Sequence, residues 1–118
     1  MWVRVARFDG GTAAGLDAEM ARSKQHLEEF RSRGLPPGLE GVKRVVEAIN
    51  RDEGTGLALI FCDTEEDLRK ADRALNDMTP SEGSGRRVSA GMYEVMTDED
   101  MTEGSRQSSG ASFPSSDA

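Results

Sequence analysis

The pattern of apolar and polar positions divides the chain into six elements. Residues 2–9, "WVRVARFD", alternate between the two types and predict a first strand. Apolar residues then recur at helical spacing from 16 to 33, which predicts a helix that is closed by Gly34. Two strands at 42–50 and 57–62, a helix at 64–78 and a strand at 86–96 follow. The predicted order is β-α-β-β-α-β.

This order predicts a ferredoxin-like α+β domain over residues 1–97. Its four-stranded antiparallel sheet carries both helices on one face. Right-handed crossovers favour the strand order 4-1-3-2. The third strand, "LALIFC" at 57–62, is apolar on both faces, whereas an antiparallel sheet with one solvated face normally alternates. We therefore predict that the second face meets another copy of the chain, as in a dimeric α+β barrel.

A pair of glycines in "NRDEGTGLALIF", residues 50–61, raises the possibility of a phosphate-binding loop. Such a loop follows a strand and opens a helix, so that backbone N–H groups face the anion. Here Gly54 and Gly56 lie between two predicted strands. We interpret them as part of a hairpin connection, and no cofactor is expected.

Composition and charge narrow the classes of function. The net charge is −7, and the basic residues are scattered among acids, which argues against a nucleic-acid partner. No apolar run reaches the roughly 18 residues of a membrane-spanning helix, and the first residues lack the apolar core of a signal peptide. A cytoplasmic protein without membrane contact is expected. Residues 98–118 are rich in Ser, Gly and acids and predict a disordered acidic tail.

Two segments carry a resemblance to a known family. "WVRVARFDGG" at 2–11 and "PGLEGVKRVVEAINRDEGTGLALIFCDTEEDLRKADRAL" at 37–75 resemble the antibiotic biosynthesis monooxygenase-like family of the dimeric α+β barrel superfamily. The resemblance spans residues 2–96. It implies a homodimer and a cofactor-independent monooxygenase that acts on an aromatic or polyketide-like small molecule.

The chain also departs from this family. Haem-degrading members carry a histidine on the second helix, and residues 64–78 contain none. The Asn, Trp, Tyr and Arg set of the cofactor-free oxygenases does not map onto this chain residue by residue. The alternative is therefore a non-catalytic small-molecule-binding or dimerisation module of the same fold.

Three residues are candidates for catalysis. His26 is the single histidine, and histidine is the side chain that titrates near neutral pH. The alternative to a catalytic role is that His26 is a partly exposed residue at the boundary of the first helix. Arg4 lies on the first strand, and a buried arginine demands a partner such as Glu47 or Glu94, or an anionic ligand. Asn50 either contributes a polar contact to a pocket or serves the turn.

A second group are candidates for binding a small aromatic ligand in an apolar pocket: Trp2, Phe61, Asn76 and Tyr93. The alternatives are a solvated helix position for Asn76 and a core or interface aromatic for Tyr93. Cys62 is the only cysteine, so no internal disulfide or cysteine-based metal site is available, and we interpret it as a small buried apolar residue. The acids of the second helix suit a solvated face near the helix N-terminus, and no metal site is predicted.

Overall fold

The computed structural model describes residues 1–78 and 85–102. The strands are β1 (Trp2–Asp9), β2 (Val42–Asn50), β3 (Thr55–Cys62) and β4 (Arg86–Glu94), and the helices are α1 (Ala13–Arg33) and α2 (Glu65–Asn76). All neighbouring strands are antiparallel, in the order β2-β3-β1-β4. The predicted α+β architecture and strand order are confirmed, and the order is compatible with a ferredoxin-like fold.

Helix α1 begins three residues before the predicted start at residue 16. Thr12 is its N-cap, and the Thr12 Oγ1 accepts a hydrogen bond from the Gly15 N–H at 3.0 Å, which satisfies a backbone donor that has no partner within the helix. The predicted end is confirmed: Gly34 has a φ of 97°, and its N–H donates to the Phe30 carbonyl.

Helix α2 begins where the sequence predicts. The Thr64 Oγ1 accepts from the Asp67 N–H at 3.1 Å, and the first turn carries three acids, which interact favourably with the positive end of the helix dipole. The helix ends at Asn76, two residues before the predicted end, and β4 likewise ends at Glu94 rather than at residue 96.

The connection between β2 and β3 uses only one of its two glycines as a turn residue. Gly54 has a φ of 70°, a conformation that disfavours side chains. Its carbonyl accepts a hydrogen bond from the Gly11 N–H at 2.9 Å, and a Cβ on Gly54 would overlap the Gly11 carbonyl oxygen. Gly56 lies inside β3. The hairpin interpretation is confirmed, and the turn also holds the segment that leads into α1.

The core is concentrated beneath α2. Leu68 and Ala71 of this helix are fully buried, as are Ala6 of β1 and Cys62 of β3. By contrast, Leu16 is the only buried residue of the 21 in α1. Helix α1 therefore covers its half of the sheet without closing onto it.

The opposite face of the sheet is apolar and is covered by no described element. Strand alternation places Val5, Val46 and Leu59 side by side in the middle of this face. Val3 is paired with both Phe61 and Tyr93. Tyr93 keeps 57% of its surface exposed, while Val3 between its neighbours keeps only 8%. The predicted two-sided apolar character of β3 is thus present in the fold.

The predicted disordered tail over 98–118 lies largely outside the described residues. Residues 98–102 belong to no helix or strand. Within the described part of the chain, neither helix has the length and apolar character needed to cross a bilayer.

Candidate functional site

A cavity of about 440 Å³ lies between α1 and the sheet. This volume is within the range of about 300–1,000 Å³ that is typical of small-molecule sites. The walls are mainly apolar and come from α1, from the segment after it and from β2 and β3: Leu16, Met20, Leu27, Phe30, Leu35, Leu39, Val42, Val45, Ile49 and Ile60.

The cavity exists because the sheet carries small side chains where α1 passes over it. The strand registers align Ala58 of β3, Ala6 of β1 and Ala90 of β4 in one row across the helix-facing side. Gly56 lies two residues before Ala58, on the same face of β3, and also lines the cavity. Gly56 and Ala58 are the members of this set that line the cavity; neither carries a long side chain that could pack against α1, and space remains.

A polar pair joins α1 and β2 within this wall. The register places Glu47 of β2 beside Ala58, at the end of the row of small residues. The Ser23 hydroxyl of α1 donates a hydrogen bond to the Glu47 Oε2 at 3.2 Å. Both residues line the cavity, and Glu47 is exposed to solvent, so the wall carries an accessible carboxylate.

Arg4 is the one buried charged residue among those that the structure describes, at 3% exposure. Its Nε donates to the Asp72 Oδ1 and its Nη2 donates to the Asn76 Oδ1, both at 2.9 Å. The Asn76 Nδ2 in turn donates to the Asp72 Oδ2 at 3.2 Å. The predicted partners Glu47 and Glu94 are therefore wrong, because Arg4 points toward α2, whose Asp72 and Asn76 are one turn apart.

His26 lines the cavity together with Arg4, as the catalytic hypothesis requires. The imidazole is nevertheless exposed and stacks on Phe30, with 6.5 Å between ring centroids. Its position on α1 thus also fits the alternative of a boundary residue. The two side chains share one cavity, but the Arg4 charge is already balanced by Asp72.

Asn50 lies outside the cavity and serves the turn. Its Oδ1 accepts from the Glu53 N–H at 3.0 Å, and its Nδ2 donates to the Glu53 Oε1 at 2.8 Å. The turn interpretation of Asn50 is the one that its contacts support.

The four predicted ligand-binding residues do not form one site. Strand alternation places Trp2 on the helix-facing side, beside Cys62, while Phe61 and Tyr93 lie on the uncovered face. There the Arg44 guanidinium lies 5.6 Å from the Phe61 ring centroid. Asn76 is exposed, but it is a hydrogen-bonding partner of Arg4, which its helical position alone did not reveal.

Cys62 is not an activated nucleophile. It is fully buried, and burial, with Asp67 and Asp63 nearby, raises the pKa of the Cys62 thiol. The thiol therefore stays protonated at neutral pH. Among the described residues, no group of three or more His, Cys, Asp or Glu side chains is arranged to hold a metal ion.

The sequence reasoning missed the role of Arg87. Its Nη1 donates to the Leu75 carbonyl at 3.0 Å and its Nη2 to the Asn76 carbonyl at 3.2 Å. These carbonyls end α2, and that of Leu75 also accepts from the Met78 N–H at 3.1 Å; the guanidinium adds a positive charge at the negative end of the helix dipole. A basic residue at the start of the strand after the helix was the available signal.

Comparisons with known proteins give no relative: no family model, no curated protein and no solved structure matches this chain.

Proposed function

We propose that this protein is a small-molecule-binding module whose site is the apolar cavity between α1 and the sheet. The observation that carries the proposal is the cavity of about 440 Å³ between α1 and the sheet, whose floor includes the small residues Gly56 and Ala58. An empty apolar space of this size forfeits packing energy in a small domain. A ligand with an apolar body recovers those contacts.

The test fills the cavity from its floor. Ala58→Leu inserts a branched side chain beside Glu47, whereas Ala18→Leu adds the same side chain to an exposed position of α1. Binding of the neutral probe N-phenylnaphthylamine is followed by its fluorescence and by the rise in Tm that ligand binding produces. We expect Ala58→Leu to weaken binding by at least about tenfold, a change of roughly 1.4 kcal/mol. Equal probe affinity in the two variants would contradict the proposal.

A second candidate is a cofactor-independent monooxygenase acting on an aromatic or polyketide-like molecule. The observation that favours it is the shared location of His26 and Arg4 on the cavity. In such chemistry the substrate reacts with oxygen itself, and the protein desolvates, orients and deprotonates it. Oxygen uptake with hydroquinone substrates in metal-free protein that falls in His26→Ala supports this activity. Binding without oxygen uptake supports the module instead.

We also propose that the uncovered sheet face mediates a homodimer, which forms an α+β barrel. Large apolar patches on a soluble protein mark contact surfaces, and this face combines Val5, Val46 and Leu59 with the exposed ring of Tyr93. Leu59→Lys places a charge at the centre of the patch and is expected to yield a monomer. The control Ala18→Lys adds the same charge to α1.

Size-exclusion chromatography with light scattering measures the outcome. The proposal expects twice the chain mass of 12.8 kDa for the unmodified protein and for Ala18→Lys. A mass of one chain for the unmodified protein at micromolar concentration would exclude this dimer.

A further inference from the structure

Two breaks in apolar patterns meet at one point of the cavity. On α1 the cavity wall includes the apolar residues Leu16, Met20, Leu27 and Phe30 and the polar residues Glu19, Arg22, Ser23 and His26. Ser23 lies between Met20 and Leu27 at the helical spacing of the apolar residues. On β2 the helix-facing positions around the cavity are Val45, Glu47 and Ile49, and Glu47 is the one polar member.

These two exceptions are hydrogen-bonded to each other, between the Ser23 hydroxyl and the Glu47 carboxylate at 3.2 Å. Positions where a sequence departs from its own structural pattern tend to be functional. A valine or leucine at either position would have extended the apolar wall.

The other charged side chains of the wall have partners of their own. Arg4 is paired with Asp72 at 2.9 Å, and Arg22 is paired with Glu19 at 2.7 Å. Arg87 donates to the carbonyls that end α2. Among the described residues, no cationic side chain forms a salt bridge with Glu47.

The Glu47 Oε2 accepts from the uncharged Ser23 hydroxyl, and no hydrogen bond to Oε1 occurs within the described part of the chain. A carboxylate accepts more strongly from a charged donor than from a neutral one. It thereby repels an anionic group and attracts a cationic one.

We infer that the cavity selects an apolar amine, whose ammonium group binds the Glu47 carboxylate while its body fills the space above Ala58. The inference rests on the proposed function, because it names the class of ligand for the same cavity. Ser23 fixes one carboxylate oxygen and leaves the other to the ligand. The ammonium group supplies up to three donors, and the exposed Glu47 carboxylate is accessible to it.

The experiment compares three probes that share one apolar body: naphthylethylamine, naphthylethanol and naphthylacetate. Their affinities for the full chain are measured by titration calorimetry at neutral pH. We expect the amine to bind at least about tenfold more tightly than the alcohol, since a hydrogen bond to a charged group exceeds one between neutral groups by about that factor. The acid is expected to bind most weakly.

The variant Glu47→Gln keeps the size of the side chain and removes its charge. We expect it to bind amine and alcohol within about twofold of each other, with the alcohol affinity unchanged. The control Glu94→Gln removes the same charge from an exposed position of β4 and is expected to keep the preference for the amine. Circular dichroism and Tm establish that both variants fold.

The outcomes distinguish a failure of the amine inference from a failure of the proposed function. If the alcohol binds and the amine binds no more tightly, or if Glu47→Gln keeps the preference, the amine inference is overturned and the cavity remains a binding site. If neither the three probes nor N-phenylnaphthylamine bind, both the inference and the proposed function are overturned.

Discussion

Replacing Asp72 by Asn should destabilise the domain far more than an equivalent change elsewhere on α2. The substitution keeps the shape of the side chain and removes the charge that balances Arg4, which is 3% exposed. Removing one partner of a buried ion pair costs about 3–5 kcal/mol, because the remaining charge is left uncompensated. Asp72 is itself 21% exposed, and Asn76 still accepts from Arg4. Both effects reduce the loss, and we expect about 2–3 kcal/mol.

The matched control is Glu65→Gln. Glu65 also lies on α2 and pairs with an arginine, Arg69, at 2.6 Å, but the two side chains are 44% and 56% exposed. Such a surface pair contributes about 0–1 kcal/mol. Both variants remove one negative charge from the same helix. The difference between their losses of unfolding free energy therefore reports the effect of burying the Arg4 charge.

Guanidinium unfolding followed by circular dichroism measures the effect as a shift of the midpoint at constant slope. For a domain of about 100 residues, each kcal/mol lowers Tm by about 4–8 °C, so Asp72→Asn should melt about 10–20 °C lower. The double variant Arg4→Met with Asp72→Leu should recover much of the loss, since an apolar pair of similar volume often replaces a buried ion pair at little cost. Equal midpoints for Asp72→Asn and Glu65→Gln would refute the reasoning.

Three further predictions concern local features. Gly54→Ala should lower the free energy of unfolding by about 2–4 kcal/mol, because strain at positive φ adds to the overlap with Gly11. Gly10 also has a positive φ, 81°, but nothing lies within 4 Å of an added Cβ, so Gly10→Ala should lower it by only about 1–2 kcal/mol. Arg87→Met should lower the free energy of unfolding by about 1 kcal/mol through the lost cap of α2. Unfolding free energy should fall as the pH rises above the ordinary thiol pKa of 9.0, since the unfolded chain ionises Cys62 while the folded protein holds the thiol protonated.

Each of these has its own measurement and contrary result. Denaturant midpoints compare the two glycine variants, and equal losses would show that the contact with Gly11 does not restrict position 54. The neighbouring Arg86→Met serves as the control for Arg87→Met, and an equal loss in both would argue against the cap. For Cys62→Ala, the slope of stability against pH above 9.0 should be shallower than in the unmodified protein; an unchanged slope would contradict it.

Local periodicity was sufficient to predict the elements and their order, because strands and helices bury one face at fixed spacing. The start of α1 was missed because Thr12 stands in a run of glycine and alanine, where a cap leaves no apolar signal. The partner of Arg4 was missed for a different reason. Asp72 is 68 residues away in the chain, and only the packing of α2 on β1 brings the two together.

The candidate site was partly visible in the sequence. Arg4 and His26 were predicted as site residues, and both line the cavity. An apolar pocket was predicted, but its lining was not, since the residues that meet there come from distant parts of the chain and register is a property of the assembled sheet. The signals that were available and unused were Ser23 and Glu47, polar residues that lie next to apolar ones on the cavity wall.

The weak attachment of α1 has a consequence for the motion of the domain. This helix is held near its beginning, by the Gly11 contact with Gly54 and by an ion pair of 2.7 Å between Asp17 and Arg51, and it buries only Leu16. Segments with few buried contacts open at a lower free energy than the whole domain. Amide protons of α1 should therefore exchange with solvent by local opening, sooner than those of α2, and a molecule that fills the cavity should slow exchange most in α1.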